Sequence, residues 1–593
     1  MRLSDYLFQE LLRVGVNTVY TVTGRGALFL TDALAKTNAI RAVCTHHEQS
    51  AAFAAAAEAQ LTNKLAVCLV STGCAATNAI TGVLNAWQDS LPVLFISGQN
   101  ILQETTYHTK SGVRTYGQQE ANIVEIVKPI TKHATMITKA QDIRCELERA
   151  VYEASNGRKG PVWIDIPLDL QSAQLDPSQL NPFKELKAEI KASSTDIDYL
   201  TKCLSEAKRP LVLVGSGIRA AEQVAVLADF LATNRLPAVY TPSGADALPL
   251  SSDQTVGSVG SMGCSRAGSF AVQNSDLLLV LGSRLSSQTV GPDSCKFARH
   301  AKVIVVDIDR IEHQKNTVRI DKFIHADLCS FIGQLGISKI TGDINEWIKT
   351  CQRWKQIFKE EKVFTKGGPN EKIDLHQLSA TLTKLLPRDA VVITDSGFIE
   401  VIVPSHVEFI AERRAIHPSS QGSMGFALPA VLGAAGAGNP IFVVVGDGSI
   451  MMNIQELETI RAQNIPVKII VVNNNAYAII RRRQRELFRN RTIGTDPSNG
   501  VSIPKFEKIA DTFGLQYTRI NDNSELEDGL RRLIDSSGPT ICEIMGRDDQ
   551  EYLEIAYCRT EEGKYVRRPL EDQYPFLDRE IFLKEMRVPP IDQ

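Results

Sequence analysis

The segment from Ile441 to Ala478, IFVVVGDGSIMMNIQELETIRAQNIPVKIIVVNNNAYA, constrains the fold of this chain more than any other. Its two β-branched apolar runs, IFVVV and VKIIVV, are too short to span a membrane and suit strands buried on both faces of a parallel sheet. Between them, Asn453 to Asn464 reads as a helix with Ile454, Leu457 and Ile460 on one face. The first run ends in Gly446-Asp447-Gly448-Ser449 and the second in Asn473-Asn474, so both endings belong at the carboxyl edge of one sheet, where open α/β folds place ligands. A carboxylate and an amide are hard oxygen ligands, too few to cage a metal alone. They suit Mg²⁺, which takes one or two carboxylates beside phosphate oxygens and water. The implied ligand is a diphosphate. Gly-Asp-Gly alone is equally a plain turn, and the pairing with Asn474, twenty-seven positions beyond Asp447, gives the pattern its weight.

The same strand, loop and helix rhythm recurs along the chain. Residues 1–172 carry NTVYTVTG, LAVCLVSTG, LPVLFISGQ and PVWIDIP, with a helix at ALFLTDALAKT. After a polar, proline-containing linker, residues 198–337 carry LVLVGSG, PAVYTP, LLLVLGSR and KVIVVDID; residues 373–547 carry AVVITDSG, IFVVVGDG, VKIIVVNNN and PTICEIM. Such alternation predicts three doubly wound parallel-sheet α/β domains, followed by a charged, aromatic-bearing tail at 548–593. Sixty-five basic and 68 acidic residues give a net charge of -3, which calls for neither a nucleic-acid nor a membrane partner. Eleven cysteines without a C-x-x-C pair read as reduced thiols. With an amphipathic start, MRLSDYLFQELLRVGV, and no long apolar stretch, the expectation is a cytoplasmic protein.

In order and spacing, HEQSAAFAAAAEAQ, CLVSTGCAATNAITGVLNAWQDSLPVLFISGQ, QQEANIVEIVKPITKH, GPVWIDIP and the Asp447–Asn474 pattern resemble the acetolactate synthase family of thiamine diphosphate enzymes over about residues 4–550. By itself Glu48 could simply open the small-residue helix that follows it, where a carboxylate favours the dipole. The resemblance implies more: Glu48 hydrogen-bonds ring N1′ of the cofactor aminopyrimidine and favours the imino tautomer, whose 4′-nitrogen takes the thiazolium C2 proton. It also implies an active-site glutamine at Gln119 and small residues near the cofactor at Gly26 and Ala27. Met424 in Gly422-Ser423-Met424-Gly425 would be the wedge between the two cofactor rings, and Ser396 and Gly397 a phosphate-side turn. Mg²⁺ would be held by Asp447, Asn474 and the carbonyl of Ala476, with Gly448 and Ser449 on diphosphate oxygens. Phe398-Ile399 departs from the Gln-His of that family.

For the middle domain the resemblance implies FAD. Its candidate contacts are Gly215, Gly217, Thr241, Ser261, Met262, Gly282, Arg284, Asp307, Ile308 and Asp327, with the glycines and Arg284 on the diphosphate and the aspartates toward ribose and adenine. Related decarboxylases keep this domain without flavin. The family also places Glu48 and the diphosphate site on different subunits, which implies a homodimer or homotetramer. His46-His47 is not where aldehyde-releasing relatives keep their acid pair, so the implied chemistry is carboligation with pyruvate as donor. The last departure is Arg483, where a tryptophan of the family helps select the acceptor. It lies in Arg481-Arg482-Arg483-Gln484-Arg485, which reads either as a solvated helix face or as an anion funnel assisted by Arg284. A funnel would suit a nucleotide-linked keto-deoxysugar, as in the flavin-containing acetyl-transferring enzymes of branched-chain sugar (yersiniose) synthesis, which the tail RRPLEDQYPFLDRE also resembles. The alternative acceptor is a second 2-keto acid, as in acetolactate synthase itself.

Overall fold

Four apolar runs in each third of the chain become the four inner strands of a six-stranded parallel sheet, three times over. The computed structural model describes residues 1–185, 190–315, 317–335, 340–359, 368–410, 412–559 and 565–591. In the first sheet β1 (Thr18–Thr21), β2 (Arg41–Cys44), β3 (Ala66–Val70), β4 (Val93–Gln99), β5 (His133–Met136) and β6 (Val162–Pro167) lie in the order β2-β1-β3-β4-β6-β5. The middle sheet has β7 (Pro210–Val214), β8 (Ala238–Tyr240), β9 (Thr255–Ser258), β10 (Leu277–Leu281), β11 (Lys302–Asp307) and β12 (Lys322–His325), ordered β12-β11-β10-β7-β8-β9. That is the dinucleotide-binding order, with its switch point between β7 and β10. The third sheet, β13 (Val391–Thr394), β14 (Arg414–Ile416), β15 (Ile441–Gly446), β16 (Lys468–Asn473), β17 (Gln516–Ile520) and β18 (Thr540–Met545), runs β14-β13-β15-β16-β18-β17. Counted within its own unit, this repeats the strand order of the first sheet.

The first and third units meet through two helices made of small residues. Ala51 to Ala57 of the helix Glu48–Thr62 are all buried, because alanines let the helix Ala427–Ala434 come close. A Cβ on Gly433 would overlap the carbonyl oxygen of Ala54. Phe53 and Phe426 close one end of the seam edge to face, with ring centroids 5.4 Å apart. The tail that follows the third unit ties back to the middle unit. Gly263 N donates to the carbonyl of Leu553 at 2.7 Å, and Ile555 N to that of Ser261. A two-stranded antiparallel ladder, β19 (Tyr557–Arg559) with β20 (Tyr565–Arg567), follows.

Several local expectations shift. The helix read over Asn453–Asn464 is a 3₁₀ turn, Ile450–Asn453, followed by a shorter helix, Glu456–Ala462. The linker after Gln171 contains the turn Pro177–Gln179 and leads to a helix at Ser194–Glu206. The end expected for the middle unit, at 336–337, lies outside the described residues.

Candidate functional site

At the carboxyl edge of the third sheet the two apolar strands deliver Asp447 and Asn474 side by side. Asp447 is buried, and its carboxylate accepts from the N–H groups of Gly448 at 2.8 Å, Asn474 at 3.0 Å and Asn475 at 2.6 Å. Burial pushes its pKa up to about 6, while those N–H bonds work against the rise. The side-chain oxygen of Asn474 accepts from Ala476 N at 3.2 Å, which brings Ala476 against the same corner. One carboxylate, one amide oxygen and nearby backbone carbonyls form an oxygen-only donor set. Among the described residues no group of three or more His, Cys, Asp or Glu could hold a metal ion. A cation here would draw its remaining donors from a ligand and water, so the residues fit Mg²⁺ bound with a diphosphate.

Ser449 is oriented differently from its expected role. Its hydroxyl donates to Asp395 at 2.8 Å, which leaves the backbone N–H as its contribution to an anion. Sequence reasoning missed Asp395. It is fully buried at the end of β13 and also accepts from Ser396 N and Ala427 N, joining the Ser396-Gly397 turn, the Ser449 turn and the start of the Ala427–Ala434 helix. Burial raises its pKa. Gly422 and Gly425 flank Met424 with φ of +61° and +81°, a left-handed backbone that keeps this half-buried loop beside the same turns. Asn453 Nδ2 fixes the loop by donating to the Gly425 carbonyl at 2.8 Å.

The first-unit candidates gather around the segment Ser71–Asn78. Gly26 N donates to Ser71 Oγ at 3.1 Å, and a Cβ on Gly26 would meet Thr72 at 2.9 Å. Gln119, exposed with φ of +61°, packs its carbonyl against Gly73 so closely that no other residue fits there. Glu48 accepts from Asn78 Nδ2 at 2.9 Å. Its neighbours reach the third unit: Ser50 Oγ donates to Asn453 Oδ1, Asn453 Nδ2 donates to Gln49 Oε1, and His46 N donates to Glu456 Oε1. Asn78, Ser71 and Asn453 were not foreseen, because each is an unremarkable polar residue until the fold supplies its partner.

A cavity of about 280 Å³ opens where the three units meet. Gly217, Gly282, Arg284, Asp307, Ile308 and Asp327 line it. Gly215, Thr241, Ser261 and Met262 do not. A Cβ on Gly215 would clash with Gly282 and Ser283, so this glycine serves the contact of two strand-end loops. Ser261 and Met262 pair with the tail instead. Arg158, Lys159, Asp89, Ser419 and Ser420, none of them predicted, complete the walls from the first and third units. Arg158 is held by Ser90, Asp309 and Glu312. Glycine-edged loops beside Arg284, with Asp307 and Asp327 farther along, have the composition of a dinucleotide site.

Arg483 stands in a balanced ion-pair network. It meets Glu554 Oε2 at 2.5 Å and Glu486 Oε2 at 3.0 Å; Arg482 pairs with the same two glutamates, and Arg481 with Asp496 and Asp548. Arg481, Arg482 and Arg483 of this helix, Ala478–Leu487, therefore clasp the tail through Asp548 and Glu554. Arg485, Arg489 and Arg491 remain exposed.

Residues 1–126 match the thiamine pyrophosphate enzyme N-terminal TPP binding domain, residues 197–335 the central domain, and residues 395–544 the C-terminal TPP binding domain. The acetolactate synthase isozyme 2 large subunit of Escherichia coli (strain K12) is 30% identical over 553 residues, covering 91% of this chain and 95% of that protein. The acetolactate synthase large subunit of Lactococcus lactis subsp. lactis is 31% identical, covering 91% and 92%. The chloroplastic acetolactate synthase of Arabidopsis thaliana is 29% identical, covering 91% and 81%.

Proposed function

Because the chain belongs to the acetolactate synthase family of thiamine diphosphate enzymes, we propose that it decarboxylates pyruvate and transfers the two-carbon unit to the carbonyl of a second substrate. The observation that carries this reading is the backbone-capped Asp447 beside Asn474 at the ends of β15 and β16. Asp447, Asn474 Oδ1 and the Ala476 carbonyl would hold Mg²⁺, with Gly448, Ser449, Ser396 and Gly397 around the diphosphate. When bound, thiamine diphosphate supplies the electron sink that lets a 2-keto acid lose CO₂. Glu48 would hold a proton at the aminopyrimidine, Met424 would pack against the cofactor, and Gly26 and Gln119 would border the reacting end. The glycine-edged cavity supports FAD as a second cofactor, with Arg284 on its diphosphate. Because no net redox change accompanies ligation, the flavin's role is structural.

The favoured acceptor is a second pyruvate, giving acetolactate, in keeping with what the relatives are named for. A second reading, transfer to a nucleotide-linked keto-deoxysugar, is favoured by Arg483 and by the exposed Arg485, Arg489 and Arg491. The Glu554 pairing of Arg483 weakens it. The purified protein with thiamine diphosphate, Mg²⁺, FAD and carboxyl-labelled pyruvate tests both. Rapid acetolactate formation with no use of a keto-sugar supports the first reading. Product formed only when the sugar is added supports the second, and no CO₂ release from pyruvate overturns both.

A further inference from the structure

Three acidic side chains converge behind the loop Ser419–Met424. Asp89, after the helix Ile80–Gln88, accepts from Ser419 Oγ at 2.9 Å and Ser420 N at 3.0 Å. Asp395 accepts from Ser396, Ala427 and Ser449. The third, Glu400, has no hydrogen bond or ion pair among the described residues. It sits in the first turn of the helix Phe398–His406, which starts directly after the Ser396-Gly397 turn. Its carboxyl oxygens lie 3.1 and 3.7 Å from where a Cβ of Gly422 would stand. In the loop itself two polar atoms, Gln421 Oε1 and Ser423 Oγ, are buried without partners. Buried polar groups are almost always satisfied, so unsatisfied ones gathered at a single loop point to a ligand that satisfies them.

We propose that Glu400 is a proton-carrying catalytic residue of this site, its carboxyl donating a hydrogen bond and then its proton to the carbonyl oxygen of the second substrate. This rests on the carboligase reading above. In the step, the new carbon–carbon bond forms at the acceptor carbonyl carbon, the π pair moves onto the acceptor oxygen, and that oxygen takes the Glu400 proton. As the product leaves, the electron pair of the bond released would pass to the electron sink that bound thiamine diphosphate supplies. The hydroxyl of the transferred unit becomes a ketone and returns its proton to the Glu400 carboxylate. No oxidant is needed, and the residue ends the cycle as it began.

The electrostatics agree with an acid that is protonated at neutral pH. Burial raises the Glu400 pKa to about 8, and the facing charges of Asp89 and Asp395 add to the rise. Arg284 bonds Ser420 and acts on Asp89.

Full-length wild-type protein and Glu400→Gln decide the matter. In infrared spectra of the cofactor-free proteins, wild type should lose a protonated-carboxyl band as pH rises through about 8, and the variant should lack it. The bands of Glu58 and Asp165, which titrate near 7, are common to both and cancel. With thiamine diphosphate and Mg²⁺, the variant should keep its cofactor affinity within about twofold and its CO₂ release from pyruvate in the presence of ferricyanide, which intercepts the two-carbon unit. Ligated product should fall about 100-fold, and the high-pH decline of the wild-type ligation rate should vanish. A carboxyl band unchanged by the substitution, or ligation at the wild-type rate with the same decline, overturns the assignment. A wild-type protein that releases no CO₂ overturns the carboligase reading and this role with it, and the defect is then present in both proteins.

Discussion

Asp447 is held by the backbone rather than by other side chains, and that separates its position from its chemistry. The N–H groups that cap it belong to Gly448, Asn474 and Asn475, so removing the Asn474 side chain leaves all three caps in place. The substitution deletes only the amide oxygen beside the carboxylate and its bond to Ala476 N. Asn474→Ala should therefore fold normally and bind thiamine diphosphate with Mg²⁺ about tenfold or more weakly, as titration calorimetry would measure. An affinity equal to wild type would remove Asn474 from the metal site. Residues of this kind are legible because the strand end fixes where they point. Asp395 and Glu400 were not, since a carboxylate after an apolar strand or on a helix carries no mark of burial until its neighbours are known.

At the scale of elements, close approach of the Glu48–Thr62 and Ala427–Ala434 helices depends on absent side chains. Gly433→Val would drive a Cβ into the Ala54 carbonyl and within 3.0 Å of Ala57 Cβ. Overpacking of this kind costs about 1–3 kcal/mol. Gly333, in the helix Leu328–Leu335, has nothing within 4 Å of a Cβ, so Gly333→Ala should gain a few tenths to about 1 kcal/mol. Urea unfolding of the two variants should shift in opposite directions; similar shifts would mean that the seam is not tightly packed. The strands show how far sequence alone reaches. In each sheet the four inner strands were legible as apolar runs, because a strand covered on both faces has little room for polar residues. The six edge strands were not. β2, β5, β12, β14 and β17 are partly exposed and carry mixed polarity, as in Arg41–Cys44 and Gln516–Ile520. β9 is buried, but its sequence Thr-Val-Gly-Ser has only one large apolar residue.

For the whole molecule, what was hardest to read is long-range pairing of charge. The run Arg481–Arg483 looked like an open anion funnel or a solvated face, and its three arginines are paired: Glu554 and Asp548, about 70 residues later, meet them as the tail crosses from the third unit to Ser261–Gly263. The placement of Glu48 raises a larger question of assembly. Its carboxylate bonds Asn78 of its own unit, while the Asp447–Asn474 corner is built on the third sheet. If the chain forms the proposed dimer, a working site would take Glu48 from one chain and Asp447 with Asn474 from the other. At a cofactor concentration that loads the wild-type site but not the weakened Asn474→Ala site, Glu48→Gln and Asn474→Ala should then each show little activity alone. Unfolded together and refolded as a mixture, they should form mixed dimers in which one of the two sites has both intact residues. Random pairing puts half the dimers in that class, so carboligation should return to about a quarter of the wild-type level. The refolded mixture should run as a dimer or larger in sedimentation. If every site is instead completed within one chain, mixing restores no activity, because each chain still lacks one of the two residues.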